Sequence, residues 1–160
     1  MFQTAEHMKR LLLITLVCIS CFACGPKEEG VLNDETRSEL QALVDNYHIT
    51  PEDKYNRLAV RMAQLINEAY AKRTEEEMMD HLREFYQDNE TALTALEKEI
   101  QDWMRSLSDA ERANFVMRVN GREYANDLRR RRRQVLYRIR NSEEEKREFV
   151  RLFSILDMYR

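Results

Sequence analysis

A run of arginines is the feature of this sequence with the clearest potential for chemistry. Seven arginines fall within residues 127–140, and five of them, Arg129 to Arg133, are consecutive. Guanidinium groups bind phosphates and carboxylates through paired hydrogen bonds, so such a run is typical of nucleic-acid and anion sites. A protein that reads a nucleic-acid duplex needs several of these charges on one face.

The helical period distributes this run around its helix. At 3.6 residues per turn, Arg132 falls on the apolar face, and only Arg130 and Arg133 point clearly away from it. The apolar face is formed by Leu128, Val135, Leu136 and Ile139. Because an unpaired buried charge is very costly, we expect Arg132 to be largely buried and paired with a carboxylate from another helix.

The other arginines of the run have local partners or remain available for a ligand. Asp127 is placed to pair with Arg130 and Arg131, three and four residues further along the helix. The alternative is a pocket for a small anion or an acidic partner, formed by Arg129, Arg132 and Arg133. We expect no nucleic acid as a partner, because the run forms no single basic stripe and the chain carries a net charge of −3.

Three side chains at helical spacing could form a metal site, but they are weaker candidates for a functional site than the arginine run. Glu77, His81 and Glu84 stand at positions i, i+4 and i+7 and therefore share one face of a helix. Metal sites in helical bundles normally use a Glu-x-x-His pair on each of two helices, and this sequence has none. We therefore favour a solvated surface for the three residues and expect no bound metal or cofactor.

The rest of the sequence gives no positive support for an enzyme. It contains no nucleophile motif and no glycine-rich phosphate loop. Its three cysteines, Cys18, Cys21 and Cys24, all lie near the amino terminus. The chain beyond them therefore has no cysteine nucleophile, no disulfide and no cysteine-type metal site.

The elements that must position these candidates are predicted to be helices. Glycine and proline are scarce, and apolar residues recur at spacings of three and four. We expect an all-α fold of six to seven antiparallel helices with short loops, as a bundle or stacked hairpins. Residues 33–160 would form this single domain. Four of the expected helices cover about 34–47, 51–72, 109–120 and 122–140. Two others begin near 74 and 89, and the last begins after 142.

Capping signals mark the starts of several of these helices. Thr50 precedes Pro51, which is well suited to the first turn of a helix because its missing N–H would have had no partner there. Caps are predicted at three further starts, and two of them are capping boxes, in which each of two residues bonds the backbone of the other through its side chain. The boxes involve Thr74 with Glu77 and Ser108 with Glu111, and at the third start residues 142–145, Ser-Glu-Glu-Glu, cap the last helix.

The front of the chain has the layout of a secretory signal. Lys9 and Arg10 precede an apolar stretch of thirteen residues, from Leu11 to Ala23. A helix that spans a bilayer needs about 20 residues, so we expect a cleaved signal and not a permanent membrane span. We place the start of translation at Met8 and the signal peptide at residues 1–23.

The end of this stretch, Cys-Phe-Ala-Cys followed by Gly25, resembles a bacterial lipobox, in which a small residue precedes a cysteine that receives lipid. This resemblance covers residues 8–30 and implies lipidation of Cys24, with residues 24–32 as a tether. Cys21 stands where the family usually has leucine. A frame ending at Cys21 and ordinary cleavage near Ala23 remain alternatives.

Residues 27–29, Lys-Glu-Glu, resemble the charged export tract of certain Gram-negative surface lipoproteins, with a solvated tether as the alternative. In that resemblance Gly25, in place of Asp at the second mature position, implies transport to the outer membrane, facing the periplasm or the cell surface. We therefore expect a lipid-anchored cell-envelope protein that binds another envelope protein, as an accessory or adaptor. The alternative function is binding of a small anion through Arg129, Arg132 and Arg133, or of a metal through His81 and nearby carboxylates.

Overall fold

The computed structural model describes residues 39–140 and 142–157, and every regular element in these ranges is helical. The expected all-α fold is confirmed. A helical segment at 39–45 and a 3₁₀ helix at Ser154–Leu156 flank the main helices. These are α1 (Pro51–Tyr70), α2 (Glu75–Asp88), α3 (Glu90–Ser106), α4 (Asp109–Asn120), α5 (Glu123–Arg138) and α6 (Glu143–Leu152).

Several expectations fall on the amino-terminal part of the chain, outside the described residues. They are the start at Met8, the signal peptide at 1–23, lipidation of Cys24 and the tether at 24–32. Among the described residues, no helix combines the length and the apolar character needed to cross a membrane.

The predicted capping residues stand at the starts of their helices. The Thr50 side chain accepts a hydrogen bond from the Asp53 N–H at 3.1 Å, with Pro51 in the first turn. The capping boxes at Thr74 and Ser108 form in full. At Ser142 the hydroxyl accepts from the Glu145 N–H at 3.1 Å. Local sequence therefore determines where these four helices begin.

Helix α1 lies at the centre of the bundle and contacts α2, α3 and α5. Its apolar side chains recur along one broad face, and they have almost no contact with solvent. They are Tyr55, Leu58, Met62, Leu65, Ile66 and Ala69. Burial on this scale stabilises a helix that would be marginal alone.

The directions of the helices around α1 differ from one neighbour to another. Helix α2 runs antiparallel to α1, as expected. Tyr86, near the end of α2, contacts Met62 in the middle of α1. His81, nearer the start of α2, lies beside Glu68 near the end of α1.

Helix α5, which three helices separate from α1 along the chain, runs parallel to α1. Tyr124, near the start of α5, bonds Asn56 near the start of α1, and Arg138 at its end bonds the carbonyl of Tyr70. The three intervening helices bring the chain back to the beginning of α1, where Arg118 of α4 pairs with Glu52 at 2.7 Å.

The carboxyl-terminal segment is attached to the same central helix. The Tyr55 hydroxyl donates a buried hydrogen bond of 3.0 Å to the carbonyl of Leu156 in the 3₁₀ helix. The Tyr55 ring also meets Phe115 of α4 edge to face, with 5.2 Å between ring centroids. Such aromatic pairs add to the free energy gained by burial alone. One residue of α1 thus contacts both α4 and the 3₁₀ helix.

Lys54 is a buried charge that sequence analysis missed. Its side chain is 2% exposed, and its ammonium lies 2.8 Å from a carboxylate oxygen of Glu99 on α3. The ammonium also donates to the carbonyl of Val44 at 3.3 Å. That carbonyl is near the end of the segment at 39–45, where helical carbonyls have no partner within their own helix. Lys54 therefore links this segment, α1 and α3.

We expect removal of Glu99 to lower the stability of the fold more than removal of Lys54. In Glu99→Ala the buried ammonium loses its counter-charge, and we expect unfolding to become easier by about 3 kcal/mol. In Lys54→Met the remaining carboxylate is 36% exposed and stays hydrated, so the loss should be about 1 kcal/mol. Urea unfolding of both variants, with Lys98→Ala as the exposed control, measures this difference. Equal losses would contradict the assignment.

Candidate functional site

Arg132, the residue predicted to be buried and paired, meets Asp157. Its Nη1 and Nη2 atoms lie 3.0 and 2.7 Å from the two carboxylate oxygens, in a bidentate arrangement. The Arg132 side chain is 16% exposed. The expected burial and pairing are confirmed, but the acid follows the 3₁₀ helix and is not on another α-helix. The bond from Tyr55 to the carbonyl of Leu156 holds the neighbouring residue in place.

Arg131 faces α1 and not Asp127. Its Nε donates to the side-chain oxygen of Asn67 at 2.6 Å, and its guanidinium lies 4.4 Å from the ring centroid of Tyr70. The expected pair of Arg131 with Asp127 is therefore wrong, because the polar and aromatic groups of the adjacent helix compete for this guanidinium. Asp127 pairs with Arg130 at 2.8 Å, as expected.

Arg138 bonds the backbone at the end of α1. Its guanidinium donates to the carbonyls of Tyr70, Lys72 and Arg73 at 2.8, 2.6 and 2.7 Å. Carbonyls at the end of a helix have no partner within that helix, and a cation there also interacts favourably with the helix dipole. No sequence pattern indicated this contact, because Arg138 lies far from α1 along the chain.

The three arginines proposed as an anion pocket do not converge. Arg129 bonds the side-chain oxygens of Asn120 and Asn126 at 2.6 and 2.7 Å. Arg129 and Arg132 line a cavity of about 20 Å³, which has room for about one water molecule. Arg133 lies outside this cavity and is exposed.

The metal candidates lie on α2 without forming a ligand set. The Glu77 carboxylate accepts hydrogen bonds from the backbone of Arg73 and Thr74 in its capping box. His81 Nε2 is buried, lies 3.5 Å from a Glu68 oxygen and makes no hydrogen bond at that distance. Glu84 is exposed. Among the described residues, no three His, Cys, Asp or Glu side chains are placed to hold a metal.

An open groove between α2, α3 and α6 combines apolar and charged side chains that sequence analysis did not bring together. Its volume is about 360 Å³. We call it the α3/α6 groove. Its apolar lining comes from Leu93 of α3, Leu152 of α6 and Ile155 of the 3₁₀ helix, all of which are nearly buried. No sequence signal indicated this groove, because its lining comes from three separate parts of the chain.

Charged side chains surround this apolar lining. Helix α3 contributes Glu90, Thr94 and Glu97, which stand at positions i, i+4 and i+7 and therefore share one helix face. Helix α6 contributes Arg151, which is exposed. Tyr86 also lines the groove, and burial raises the pKa of its hydroxyl well above the usual range.

An ion pair joins α2 to α6 at the groove. Arg83 donates two hydrogen bonds to the carboxylate of Glu148, at 3.0 and 2.8 Å. Arg83 also contacts Asp80 at 2.8 Å and Glu145 at 3.6 Å. The hydrogen bonds from Arg83 are the main reason why the pKa of Glu148 lies below its usual value. This pair therefore stabilises the fold only while Glu148 is ionised.

Loss of the Arg132 guanidinium should destabilise the fold more than loss of its neighbour. In Arg132→Ala, Asp157 loses both charge-assisted hydrogen bonds, and we expect unfolding to become easier by about 2 kcal/mol. Arg133→Ala, at an exposed position, should change stability by no more than about 0.5 kcal/mol. Thermal and urea unfolding measure both variants. An equal effect of the two substitutions would refute the structural role of Arg132.

The Arg83–Glu148 pair should give stability a defined dependence on pH. Because the folded pKa of Glu148 is lowered, its contribution is complete above the unfolded pKa of about 4.3 and is lost as pH falls through the folded pKa. Glu148→Gln should lack this component, so its stability should fall less between pH 5 and 3, a range of about two units around that pKa. Urea midpoints across this range test the prediction, with Glu144→Gln as the control. Parallel pH profiles for Glu148→Gln and wild type would contradict it.

Comparisons with protein families, with curated proteins and with solved structures found no match to this chain. Neither the arginine contacts nor the α3/α6 groove can therefore be assigned by similarity. Any function has to be inferred from the residues and geometry of the chain.

Proposed function

We propose that this protein is a lipid-anchored module of the bacterial cell envelope that binds another envelope protein through the α3/α6 groove. The groove is the observation that carries the binding part of the proposal. It combines an apolar interior with a charged rim, and this combination is typical of surfaces that recognise proteins and small ligands.

The arginines of α5 are largely bonded within the chain, which favours a binding site elsewhere on the molecule. Arg131 and Arg138 bond groups on or directly after α1, and Arg132 bonds Asp157. These guanidinium groups are already paired within the chain, so a ligand would have to displace existing bonds. At the rim of the groove, Glu90 and Arg151 are exposed and form no ion pair with a described residue, so a ligand would displace no such pair there.

The amino-terminal motif supports the anchor. Cys24 follows a short apolar stretch and a small residue, in the arrangement that resembles a lipobox. Acyl chains contribute about 0.8 kcal/mol for each buried CH₂, and stable attachment to a membrane needs more than one chain. A lipidated Cys24 followed by the tether at 24–32 would hold the helical domain at the outer membrane, facing the periplasm or the cell surface.

Substitution of Cys24 should release the protein from the membrane. In Cys24→Ser the sulfur that accepts lipid is absent, so we expect most of the mature chain to move from the membrane fraction to the soluble fraction. Cys18→Ser is the matched control and should stay in the membrane fraction. Fractionation followed by immunoblotting measures the distribution. Unchanged membrane association of Cys24→Ser would remove Cys24 as the anchor from the proposal.

A cross-linking experiment in cells tests the binding part. A photo-reactive amino acid placed at Thr94, on the rim of the groove, should join the full chain to a discrete partner protein. The same residue at Arg133, exposed on α5, is the control and should not. A partner joined at Arg133 but not at Thr94 would place the binding surface on the arginine helix and overturn the assignment to the groove.

A further inference from the structure

We infer that the α3/α6 groove recognises a short protein segment in which an apolar side chain stands between a basic and an acidic residue. This inference rests on the proposed function, because it names the chemistry of the partner for the same groove. It follows from three features, which are the acidic wall, the basic wall and the apolar lining between them.

The acidic wall is formed by α3. Glu90 and Glu97 are two turns apart on the same face, which corresponds to about 10 Å along the helix axis, and both line the groove. Glu90 is exposed and forms no ion pair within the described part of the chain. Glu97 accepts a hydrogen bond from Gln101 at 3.1 Å through one carboxylate oxygen. A basic side chain between them would meet two carboxylates.

The opposite wall contributes a single available cation. Arg83 and Glu148 neutralise each other through their bidentate pair. Arg151 is exposed and forms no close ion pair with another described residue, and its charge also contributes to the lowered pKa of Glu148. An acidic side chain on the ligand would complement this guanidinium, since guanidinium groups bind carboxylates through paired hydrogen bonds.

The space between the walls suits a short segment. Leu93, Leu152 and Ile155 provide an apolar lining, which favours an apolar side chain on the ligand because its burial removes hydrocarbon from water. A volume of about 360 Å³ is at the lower end for ligand sites, so it fits a few residues. Opposite charges on the two walls then determine which flanking residues are accepted.

Synthetic peptides that differ only in the flanks of a central leucine test this inference. The four types carry one lysine and one glutamate, two lysines, two glutamates, or two neutral residues beside the leucine. Fluorescence anisotropy with the purified full chain in detergent measures their dissociation constants. We expect the peptide with mixed flanks to bind best, by about fivefold or more, which corresponds to about 1 kcal/mol.

Charge-reversal variants should change this preference in opposite directions. Arg151→Glu makes both walls acidic, so it should favour the peptide with two lysines. The double variant Glu90→Lys with Glu97→Lys makes both walls basic, so it should favour the peptide with two glutamates. The matched controls Lys98→Glu and Arg147→Glu are on the same two helices outside the groove lining and should keep the wild-type preference. Circular dichroism checks that each variant is folded.

Three outcomes would overturn the inference. The first is an unchanged flank preference in the folded reversal variants, and the second is the absence of peptide binding. The third is a concentration-dependent dimer that charge reversal abolishes, because a second copy of the chain would then be the occupant of the groove. If cross-linking at Thr94 persists in any of these cases, the proposed function stands and only the ligand chemistry is wrong. Loss of both peptide binding and the cross-link would remove both.

Discussion

The packing of α5 against α1 is the contact on which the rest of the bundle depends. The two helices run parallel, and their register is held at the start, middle and end of α5. Tyr124 bonds Asn56, Arg131 bonds Asn67, and Arg138 bonds the carbonyls at and after the end of α1. Because α1 also supports α2, α3 and the carboxyl-terminal segment, this register places the other elements relative to each other.

The packing of α5 against α1 explains why arginine is suited to several positions of α5. A guanidinium carries five N–H donors in a fixed planar arrangement, and its planar face can lie over an aromatic ring. Arg138 uses the donors to bond three carbonyls, and Arg131 uses both the donors and the face. Lysine has one compact charge and cannot make the same set of contacts. Of the arginines that suggested a polyanion site, Arg131, Arg132 and Arg138 instead join α5 to other elements of the fold.

The remaining charges divide into those that join helices and those that stay available. Arg83 with Glu148 joins α2 to α6, and Lys54 with Glu99 joins α1 to α3. In both cases the pair lies between helices, where it fixes one arrangement of the two. Glu90 and Arg151 are exposed at the α3/α6 groove and form no close ion pair with another described residue, and the proposed ligand recognition uses these two charges.

The sequence by itself determined the helical class, most of the helix starts and the need for a partner at Arg132. These depend on spacing and caps within a few residues, so they can be predicted from short windows. The acid at Arg132, the partner of Arg131 and the buried Lys54 involve residues 25, 64 and 45 positions apart. The parallel direction of α5 and the α3/α6 groove also needed the tertiary structure. Such contacts exist only once helices distant in the chain have packed, and several partners of similar chemistry compete for each charge until packing selects one.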